Sequence, residues 1–571
     1  MSEERWDHSV DVLVVGSGNG GMTSALCNYE MGTRDVLVIE KGDTYGGTSC
    51  LSGGGVWIPC NRYAKAEGAA DSIDEARTYL GKVIPDGMVP QPLIDTYLEN
   101  GPKMVDFLHE RTEHVRYESL AHYPDYYSLE PGARHGHRSM EPARFDMSQM
   151  GDDWKKMAPS HQMMLVLGRI CFTQVEAAIL ASRSPGWFWV GFKLMLRWII
   201  DLPWHFKSLT SRFIACGRAG IGRLRLEMIK RGLPLWLNSA LEELITDDQG
   251  RVIGAVVRRD GKSMRVQANK GVVIASGGFE HNQAMREQYL PAPTNEAWSS
   301  GAKTNTGDGI LAGQAVGGAI GLMNTAWWTG TVSVPGEENP RLSIMDKGMP
   351  GTVLVNQQGK RIANESMNYY AYQSAVYDFH SDETPAVPAY MIFAKHVRDT
   401  YYMGPLMGNL QPDFAVPNAW YEDGFFKKAE TIRELAGLTG IDPDGLEDTV
   451  SRMNQYGASG VDEEFHRGET ESDRYYGDQR VQPNPCLGPI ADGPFYAMRV
   501  DPGDFGTSGG LEFNTDAQVL KDDGSAIDGL YVCGNSARAV LPGYPGPGST
   551  LGPAMTFAYQ SAKHINGVSD S

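Results

Sequence analysis

A glycine- and proline-rich segment near the end of the chain, residues 543–555, contains the tyrosine Tyr544. An apolar pattern follows it and predicts a final helix, so the segment is expected at the start of that helix. The first N–H groups of a helix lack intrahelical partners and lie at the positive end of the helix dipole. Together with the phenol hydroxyl they would stabilise negative charge that develops on a bound oxygen. The segment therefore predicts an oxyanion site.

The amino-terminal residues have the pattern of a dinucleotide-binding site. Gly16 permits a tight turn after a strand, Gly18 lets the backbone approach a pyrophosphate, and Gly21 allows a helix to pack closely on the strand. The next strand ends in Glu40, an acid suited to the ribose hydroxyls. The predicted elements are a strand at 10–15, a helix at 22–30 and a strand at 35–40. A cofactor site and an oxyanion site together suggest a flavin enzyme that oxidises a carbon next to a ketone.

FAD is favoured over NAD because a second small-residue loop, 45–54, follows directly and would contact the longer body of a flavin. Two later predicted strands, within 271–278 and 529–535, also end in glycines. No second fingerprint is present, so a separate nicotinamide domain is not expected. The predicted cofactor is non-covalent FAD. Its further predicted contacts are Gly47, Thr48, Ser49, Ser52, Gly53, Gly54, Gly277, Gly534 and Asn535.

The overall composition limits the classes of protein. The chain has 571 residues and a mass of 62.6 kDa, enough for two or three domains. A net charge of -19, from 51 basic and 70 acidic residues, argues against nucleic-acid binding. The 7 cysteines are scattered without a CxxC pair, so we expect neither a metal site nor a disulfide framework. The polar amino terminus lacks a signal-peptide pattern, which predicts a cytoplasmic protein.

The middle of the chain lacks the alternation of strands and helices seen at its ends. We interpret residues 328–506, which carry many Tyr, Asn, Asp and Pro residues, as an inserted α+β domain that caps the flavin and forms the catalytic domain. The expected fold is α/β, with a Rossmann-like FAD-binding domain formed by 1–327 and 507–571. Inside the inserted domain the predicted elements are strands at 351–355 and 390–393 and a helix at 429–436.

The segment from about 160 to 217 differs from its surroundings. Its part at 184–207 is rich in tryptophan and aliphatic residues, and 6 basic against 2 acidic residues give the whole segment a local charge of +4. Lys193, Arg197 and Asp201 recur at four-residue spacing, on one face of a helix. The apolar run is too interrupted to cross a bilayer but suits a helix in the membrane interface. We expect peripheral attachment to the inner face of the cytoplasmic membrane; a core helix or an oligomer contact is the alternative.

Motifs along nearly the whole chain resemble the 3-ketosteroid Δ1-dehydrogenase family of flavoproteins. The flavin motifs are shared with fumarate reductases and L-aspartate oxidases, whereas the tyrosine contexts are more specific. The resemblance implies the fumarate reductase/succinate dehydrogenase type of flavoprotein fold, and it adds Asp308 and Leu551 to the predicted FAD contacts. The motifs that carry it are 16–21, 46–49, 218–223, 305–308, 364–366, 460–469, 493–496, 506–510 and 544–548.

In this family the catalytic residues are three tyrosines and a glycine, which match Tyr126, Tyr369, Tyr544 and Gly548. The resemblance implies that Tyr544 and the Gly548 N–H bind the C3 oxygen of a 3-ketosteroid. Tyr369 would take a proton from C2, assisted by Tyr126, while hydride passes from C1 to flavin N5. Tyr370 follows directly and leaves the choice of base open. Because the ordinary pKa of a phenol is about 10, we expect neighbours to favour the phenolate.

The long insert resembles that of the subgroup acting on cholest-4-en-3-one, so the expected reaction forms cholesta-1,4-dien-3-one in cholesterol degradation. The electron acceptor is expected to be a quinone or a similar compound. The alternatives are a Δ4-(5α)-ketosteroid dehydrogenase, a fumarate-reductase-like enzyme and, outside enzymes, a flavin-loaded membrane redox sensor. A dicarboxylate reductase needs arginines to bind two carboxylates, and the carboxyl-terminal loop offers none.

Overall fold

The computed structural model describes residues 5–569, and its first sheet is built around the amino-terminal strand. This strand, His8–Val15, lies inside an 8-stranded sheet and pairs in parallel with Val36–Ile39 and Lys262–Ile274. Its apolar residues are buried, as expected of a parallel strand covered on both faces. The parallel part continues through Leu235–Trp236 and Ala526–Val532. The antiparallel strands are Ser239–Thr246, Val252–Arg259 and Gln518–Leu520.

Four long helices pack together around this sheet and share its apolar core. Asn19–Met31 begins directly after the glycine-rich turn and packs against Cys216–Lys230 and the final helix, Leu551–Ile565. The final helix also contacts Gln91–Arg111. This packing brings the carboxyl-terminal segment beside the amino-terminal fingerprint.

The second sheet is antiparallel, and its central strand is Phe495–Thr507. One half of this long strand pairs with Ala326–Val332 and the other half with Ala389–Ala394. Two buried apolar clusters contain the side chains of these strands. The sheet is completed by Arg341–Ser343, Thr352–Val355 and Phe426–Ala429. Apart from Ala326, Trp327 and Thr507, all residues of its strands lie within 328–506, the part of the chain that the sequence predicts as the inserted domain.

Shorter elements connect and cover the two sheets. The remaining α-helices are Gly47–Leu51, Arg62–Ala66, Ile73–Val83, Gln174–Ala181, Trp187–Ile200, Leu202–His205, Gln283–Tyr289, Asp308–Ala315, Tyr369–Phe379, Lys395–Thr400, Asn418–Glu422, Ile432–Thr439, Pro443–Ser459 and Glu471–Arg474. Short 3₁₀ turns are Met147–Lys156, Gln162–Met164, Glu296–Trp298, Asp346–Gly348, Gly408–Leu410, Asp413–Ala415 and Gly534–Ser536. Small strands are Val56–Trp57, Tyr117–Ser119, Ser139–Pro142, Phe145–Asp146, Leu165–Val166, Ile170–Cys171, Phe213–Ile214, Ile320–Gly321, Tyr402–Met403, Leu406–Met407 and Gly510–Leu511.

The helix expected at 429–436 is displaced. Phe426–Ala429 is a strand that pairs with the central strand of the second sheet, and the helix is Ile432–Thr439. Its first turn is fixed by a capping box between Thr431 and Glu434. The prediction of its start was therefore wrong, because the apolar pattern alone did not reveal the sheet neighbour.

The Trp-rich segment forms a helix, Trp187–Ile200, in which Lys193 and Arg197 share one face. Asp201 lies just beyond this helix and pairs with Arg212 at 3.2 Å, so it is not a third member of the helical face. Within residues 5–569, no helix is both long enough and apolar enough to traverse a bilayer.

Candidate active site

A large cavity opens where the parallel strands of the first sheet end. The loops after three of these strands bring Gly16, Gly277 and Gly534 to this edge. Leu342 and Phe505, from the second sheet and its flanks, contribute to the wall of the same cavity. The carboxyl end of a parallel sheet is where cofactors bind in α/β folds. The cavity therefore lies between the two sheets at the position expected for a cofactor and its substrate.

The glycine-rich turn has the geometry that a pyrophosphate requires. Gly16 has φ 106°, and a Cβ there would lie 2.3 Å from a backbone oxygen of the adjoining loop. A Cβ on Gly18 would meet only Ser49 Oγ, at 3.5 Å, so this backbone is open to the cavity. The N-cap residue Gly18 has no side chain to cap the first turn of Asn19–Met31. The Asn19 N–H donates to Ser49 Oγ at 3.1 Å. The positive end of the helix, beside the open backbone of Gly18, fits the pyrophosphate of bound FAD.

Two carboxylates line the cavity near the fingerprint. Glu40 accepts hydrogen bonds from Ser17 Oγ at 2.5 Å and from the Gly42 N–H at 2.9 Å. Asp308 forms an ion pair with Lys41 at 2.6 Å. Both carboxylates belong to the predicted cofactor set, whereas Lys41 does not. The sequence signal for Lys41 was its position next to Glu40, the acid predicted to bind the ribose.

The cavity gathers nearly all the other predicted cofactor residues. The exception is Gly21, which lies off the wall, where a Cβ would be 2.1 Å from the Gly16 oxygen; it serves helix–strand packing as predicted. The residues on the wall are Gly47, Thr48, Ser49, Ser52, Gly53, Gly54, Gly277, Gly534, Asn535 and Leu551.

Three tyrosines from distant parts of the chain meet in the same cavity. The hydroxyl of Tyr369 donates to that of Tyr544 over 2.9 Å, across 175 positions of sequence. The ring of Tyr126 stacks on Tyr544 at 5.9 Å and meets Tyr369 edge-on at 5.7 Å. All three line the cavity and are buried. The structure thus brings the three predicted tyrosines together.

Gly548 and Tyr544 lie in the turn before the final helix, not in its first turn. The helix begins at Leu551, because Tyr544 (φ 53°) and Gly548 (φ 102°) are in the left-handed region and prolines flank them. A Cβ on Gly548 would lie 2.4 Å from the backbone of Gly55, so only glycine fits. Within residues 5–569 the Gly548 N–H has no hydrogen-bond partner. It is therefore available to a bound oxygen.

The surroundings of the tyrosines keep them protonated. Burial raises the pKa of Tyr369 and of Tyr126 well above the ordinary range, and it also raises the pKa of Tyr544. The Tyr544 hydroxyl raises the pKa of Tyr369 further, while the hydrogen bond with Tyr126 lowers it. The expectation that neighbours favour the Tyr369 phenolate is thus not met, because burial outweighs the one favourable hydrogen bond.

The geometry favours Tyr369 over Tyr370 as the base. The Tyr370 ring stacks on Tyr544 at 5.8 Å, but the residue is not part of the cavity wall. Its hydroxyl interacts with Thr325 and Ser374. Tyr369 is on the wall and bonded to Tyr544, as described above.

Two further tyrosines were missed by the sequence analysis. The Tyr123 hydroxyl lies 3.2 Å from that of Tyr126 and 2.7 Å from that of Tyr476. Both Tyr123 and Tyr476 line the cavity. Tyr123 stands three residues before Tyr126 and could have been found from that spacing. Tyr476 gave no sequence signal, because it is 353 positions from its partner.

The insert also supplies part of the cavity wall, which the sequence did not predict. These residues precede or begin Gln174–Ala181 and are mostly apolar. They are Met163, Met164, Phe172, Gln174 and Ala177. This side of the cavity therefore suits a large apolar ligand.

No group of three or more His, Cys, Asp or Glu side chains between residues 5 and 569 is arranged to hold a metal ion. All seven cysteines are free thiols, and six of them are buried.

Comparison with known proteins agrees with the geometry. Residues 11–551 match the FAD binding domain family. A flavocytochrome c3 fumarate reductase superposes over 98% of this chain and 79% of its own at a TM-score of 0.62 and 22% identity, a likeness of fold alone. The class is therefore an FAD-dependent oxidoreductase with the fumarate reductase/succinate dehydrogenase type of fold.

More similar proteins define the family. A 3-oxosteroid 1-dehydrogenase of Mycolicibacterium smegmatis is 41% identical over 568 residues, which cover 97% of each chain. A 3-ketosteroid Δ1-dehydrogenase of Sterolibacterium denitrificans, solved in complex with 1,4-androstadiene-3,17-dione, is 42% identical at a TM-score of 0.93 and covers 98% of this chain and 100% of its own. The chain belongs to the 3-oxosteroid 1-dehydrogenase family.

Proposed function

We propose that this protein removes the hydrogens from C1 and C2 of 3-ketosteroids, with cholest-4-en-3-one as substrate and cholesta-1,4-dien-3-one as product. The observation that carries the proposal is the convergence of Tyr544, the unpaired Gly548 N–H and Tyr369 in one cavity beside the cofactor turn. Two donors for one oxygen and an adjacent base are what 1,2-dehydrogenation beside a ketone requires.

Tyr544 and Gly548 form the oxyanion hole in this proposal. Tyr544 accepts its hydrogen bond from Tyr369, so its own hydroxyl hydrogen is available to the steroid C3 oxygen. The Gly548 N–H supplies the second donor. As Tyr369 takes the C2 proton, the C2–H electron pair moves toward the C3 oxygen, where these two donors stabilise the charge. When the C1 hydride leaves, the same electrons form the C1–C2 double bond.

Tyr369 must lose its own proton before it acts as the base. We infer that Tyr126 assists this loss, because its hydrogen bond to the Tyr369 oxygen stabilises the phenolate and lowers the pKa of Tyr369. Tyr123 and Tyr476 continue the row of hydroxyls at 3.2 and 2.7 Å. When bound, FAD supplies the acceptor for the C1 hydride. A quinone or a similar compound is our proposed acceptor for the reduced enzyme.

The apolar side of the cavity supports a substrate that keeps its side chain. The Met163, Phe172 and Ala177 side chains of the insert line it, and Leu342 and Ile344 of the inserted domain line it too. An aliphatic chain carried by the steroid would bury apolar surface there, at about 25 cal/mol per Å². Androst-4-ene-3,17-dione lacks such a chain and is expected to bind more weakly.

Peripheral attachment to the inner face of the cytoplasmic membrane would give the protein access to such a substrate. Trp189 is 61% exposed and Phe206 is 94% exposed, in a segment that also carries Lys193 and Lys207. Exposed aromatic and basic side chains on one segment suit the interface of an anionic bilayer. The alternative is that this exposed segment contacts a second subunit.

The attachment is tested with vesicles of phosphatidylglycerol and phosphatidylcholine. Trp189→Glu combined with Phe206→Glu should lower the bound fraction at least tenfold, because two apolar anchors are replaced by charges repelled from the surface. Leu438→Glu, at another exposed apolar residue, should leave binding unchanged. Equal binding by all three proteins would reject the membrane proposal, and a change of oligomeric state in the double variant alone would favour the subunit contact.

The reaction is tested by mixing the holoenzyme anaerobically with cholest-4-en-3-one. The flavin absorbance should bleach, and mass spectrometry should find a steroid two hydrogens lighter and unsaturated at C1–C2. A second sample is mixed with 5α-cholestan-3-one, and a product unsaturated at C4–C5 there, without reaction of cholest-4-en-3-one, would indicate the Δ4-(5α) reaction instead. An unchanged flavin spectrum with both of these steroids and with androst-4-ene-3,17-dione would leave the redox-sensor alternative.

A further inference from the structure

A buried ammonium group lies beneath the turn that leads to Tyr369. Lys347 is 3% exposed, and its Nζ donates to the carbonyl oxygen of Glu365 at 2.6 Å and to that of Met367. Burial lowers the pKa of Lys347 to about 7. A charged amine is kept in such a place only where hydrogen bonds compensate for lost solvation. These two carbonyl bonds therefore hold the group.

The two ends of this contact belong to different parts of the active site. Lys347 closely follows Ile344 and Met345, which line the cavity. The carbonyls it binds precede Tyr369, the first residue of the helix Tyr369–Phe379. Ser366 Oγ adds a weaker bond to the Gly348 oxygen at 3.4 Å. Lys347 thus ties a wall of the cavity to the backbone that carries the proposed base.

Other cations nearby bind different groups. Arg361 pairs with the Glu365 carboxylate at 2.7 Å. Arg467 donates to Ser366 Oγ at 3.1 Å, and its other bonds include the carbonyls of Thr352 and Met349, outside the turn, at 2.7 and 2.9 Å. Both therefore hold side chains of the turn. Among the side chains that the structure describes, Lys347 is the cation that donates hydrogen bonds to the backbone carbonyls of the turn before Tyr369.

We propose that Lys347 is a positioning residue for the dehydrogenation, which fixes Tyr369 relative to the wall against which the steroid lies. The inference rests on the proposed role of Tyr369 as the base. Without the ammonium group two buried carbonyls lose their donor, and the turn is free to shift. A misplacement of about 1 Å at a reacting group costs a rate factor of about 100. Steroid affinity depends on the wall itself and should change little.

The test isolates proton transfer from hydride transfer. The holoenzyme is first reduced with dithionite, so that cholest-4-en-3-one enolises but is not dehydrogenated, and incorporation of solvent deuterium at C2 is followed by mass spectrometry. Lys347→Met should slow this exchange about 10- to 100-fold, with the Kd for cholesta-1,4-dien-3-one within about threefold of wild type. Lys347→Arg retains a cation with several donors and should recover part of the rate.

The matched control is Arg398→Met. Arg398 is 1% exposed and also donates to two loop carbonyls, those of Gly408 and Gln411, but away from the turn before Tyr369. This variant should lose thermal stability and keep the wild-type exchange rate. Equal slowing in both variants, or slowing matched by loss of steroid affinity and FAD content, would show a merely structural role and overturn the proposal.

Two further results distinguish a failure of the proposed base from a failure of the proposed positioning role of Lys347. Tyr369→Phe must abolish exchange; if it does not, the base assignment fails, and the positioning proposal falls with it. If Tyr369→Phe is inactive and Lys347→Met exchanges at the wild-type rate, only the positioning proposal is refuted. Should Lys347→Met not fold, Lys347→Leu also removes the donor to both carbonyls, and its exchange rate decides: slowing supports the proposal and the wild-type rate overturns it.

Discussion

Replacing Tyr544 by phenylalanine removes one hydroxyl from the active site and keeps the ring. Tyr544 is 3% exposed and packs against Tyr126, Tyr370 and Trp327 through its ring, so these contacts remain in the variant. What is lost is the proposed donor to the steroid oxygen and the acceptor for the Tyr369 hydroxyl. The variant therefore probes oxyanion stabilisation with little change of packing.

The loss of the oxyanion donor and the loss of the hydrogen bond from Tyr369 should have effects of different size. Loss of one oxyanion donor lowers the rate of the chemical step by about 100- to 1000-fold, or about 3 to 4 kcal/mol. Loss of a buried hydrogen bond between neutral hydroxyls destabilises the fold by about 1 kcal/mol. The rate effect should therefore greatly exceed the stability effect. Substrate Kd should rise less than the rate falls, because the oxygen is more negative in the transition state than in the ground state.

Stopped-flow bleaching of the flavin under anaerobic conditions measures the rate, and its dependence on steroid concentration gives the Kd. Tyr370→Phe is the control, since its ring also stacks on Tyr544 while its hydroxyl lies off the cavity wall; it should react at nearly the wild-type rate. A Tyr544→Phe variant in which Kd rises while the limiting bleaching rate stays at the wild-type value would refute the oxyanion role, because the hydroxyl would then stabilise the bound ground state and the transition state equally.

Two further predictions follow from burial. Gly548→Ala should lose most activity and bind FAD more weakly, because the new Cβ would lie 2.4 Å from the backbone of Gly55; full activity with normal flavin content would contradict the need for glycine there. Burial raises the pKa of Glu141 from 4.5 to about 7. As the pH rises from 4.5 to 7, the Glu141 carboxyl loses its proton in the unfolded protein before it does so in the folded protein. The free energy of unfolding of the wild type therefore falls by up to about 3 kcal/mol over this range. Glu141→Gln does not titrate, and its melting temperature relative to wild type should rise across this range; a difference that is independent of pH would refute the assignment.

Some features of this protein are determined locally by the sequence. The amino-terminal fingerprint was predicted correctly because its strand, turn and helix are contiguous, and Gly21 packs against Gly16 and Val14 within that unit. The short runs of strand-forming residues likewise predicted Thr352–Val355 and Ala389–Ala394 within one residue at each end. The helix at 429–436 was misplaced, because its first residue belongs to a strand whose partner lies far away in sequence.

Only the tertiary structure decided how the site is assembled. The tyrosines were found by their motifs, yet the bond between Tyr369 and Tyr544 spans 175 positions, and that between Tyr123 and Tyr476 spans 353. No local pattern encodes such distances, because they are set by the packing of one sheet against another. The same holds for the tyrosine pKa values, since burial is a property of the folded chain. The sequence therefore determined which groups are available for chemistry, and the fold determined their contacts and protonation.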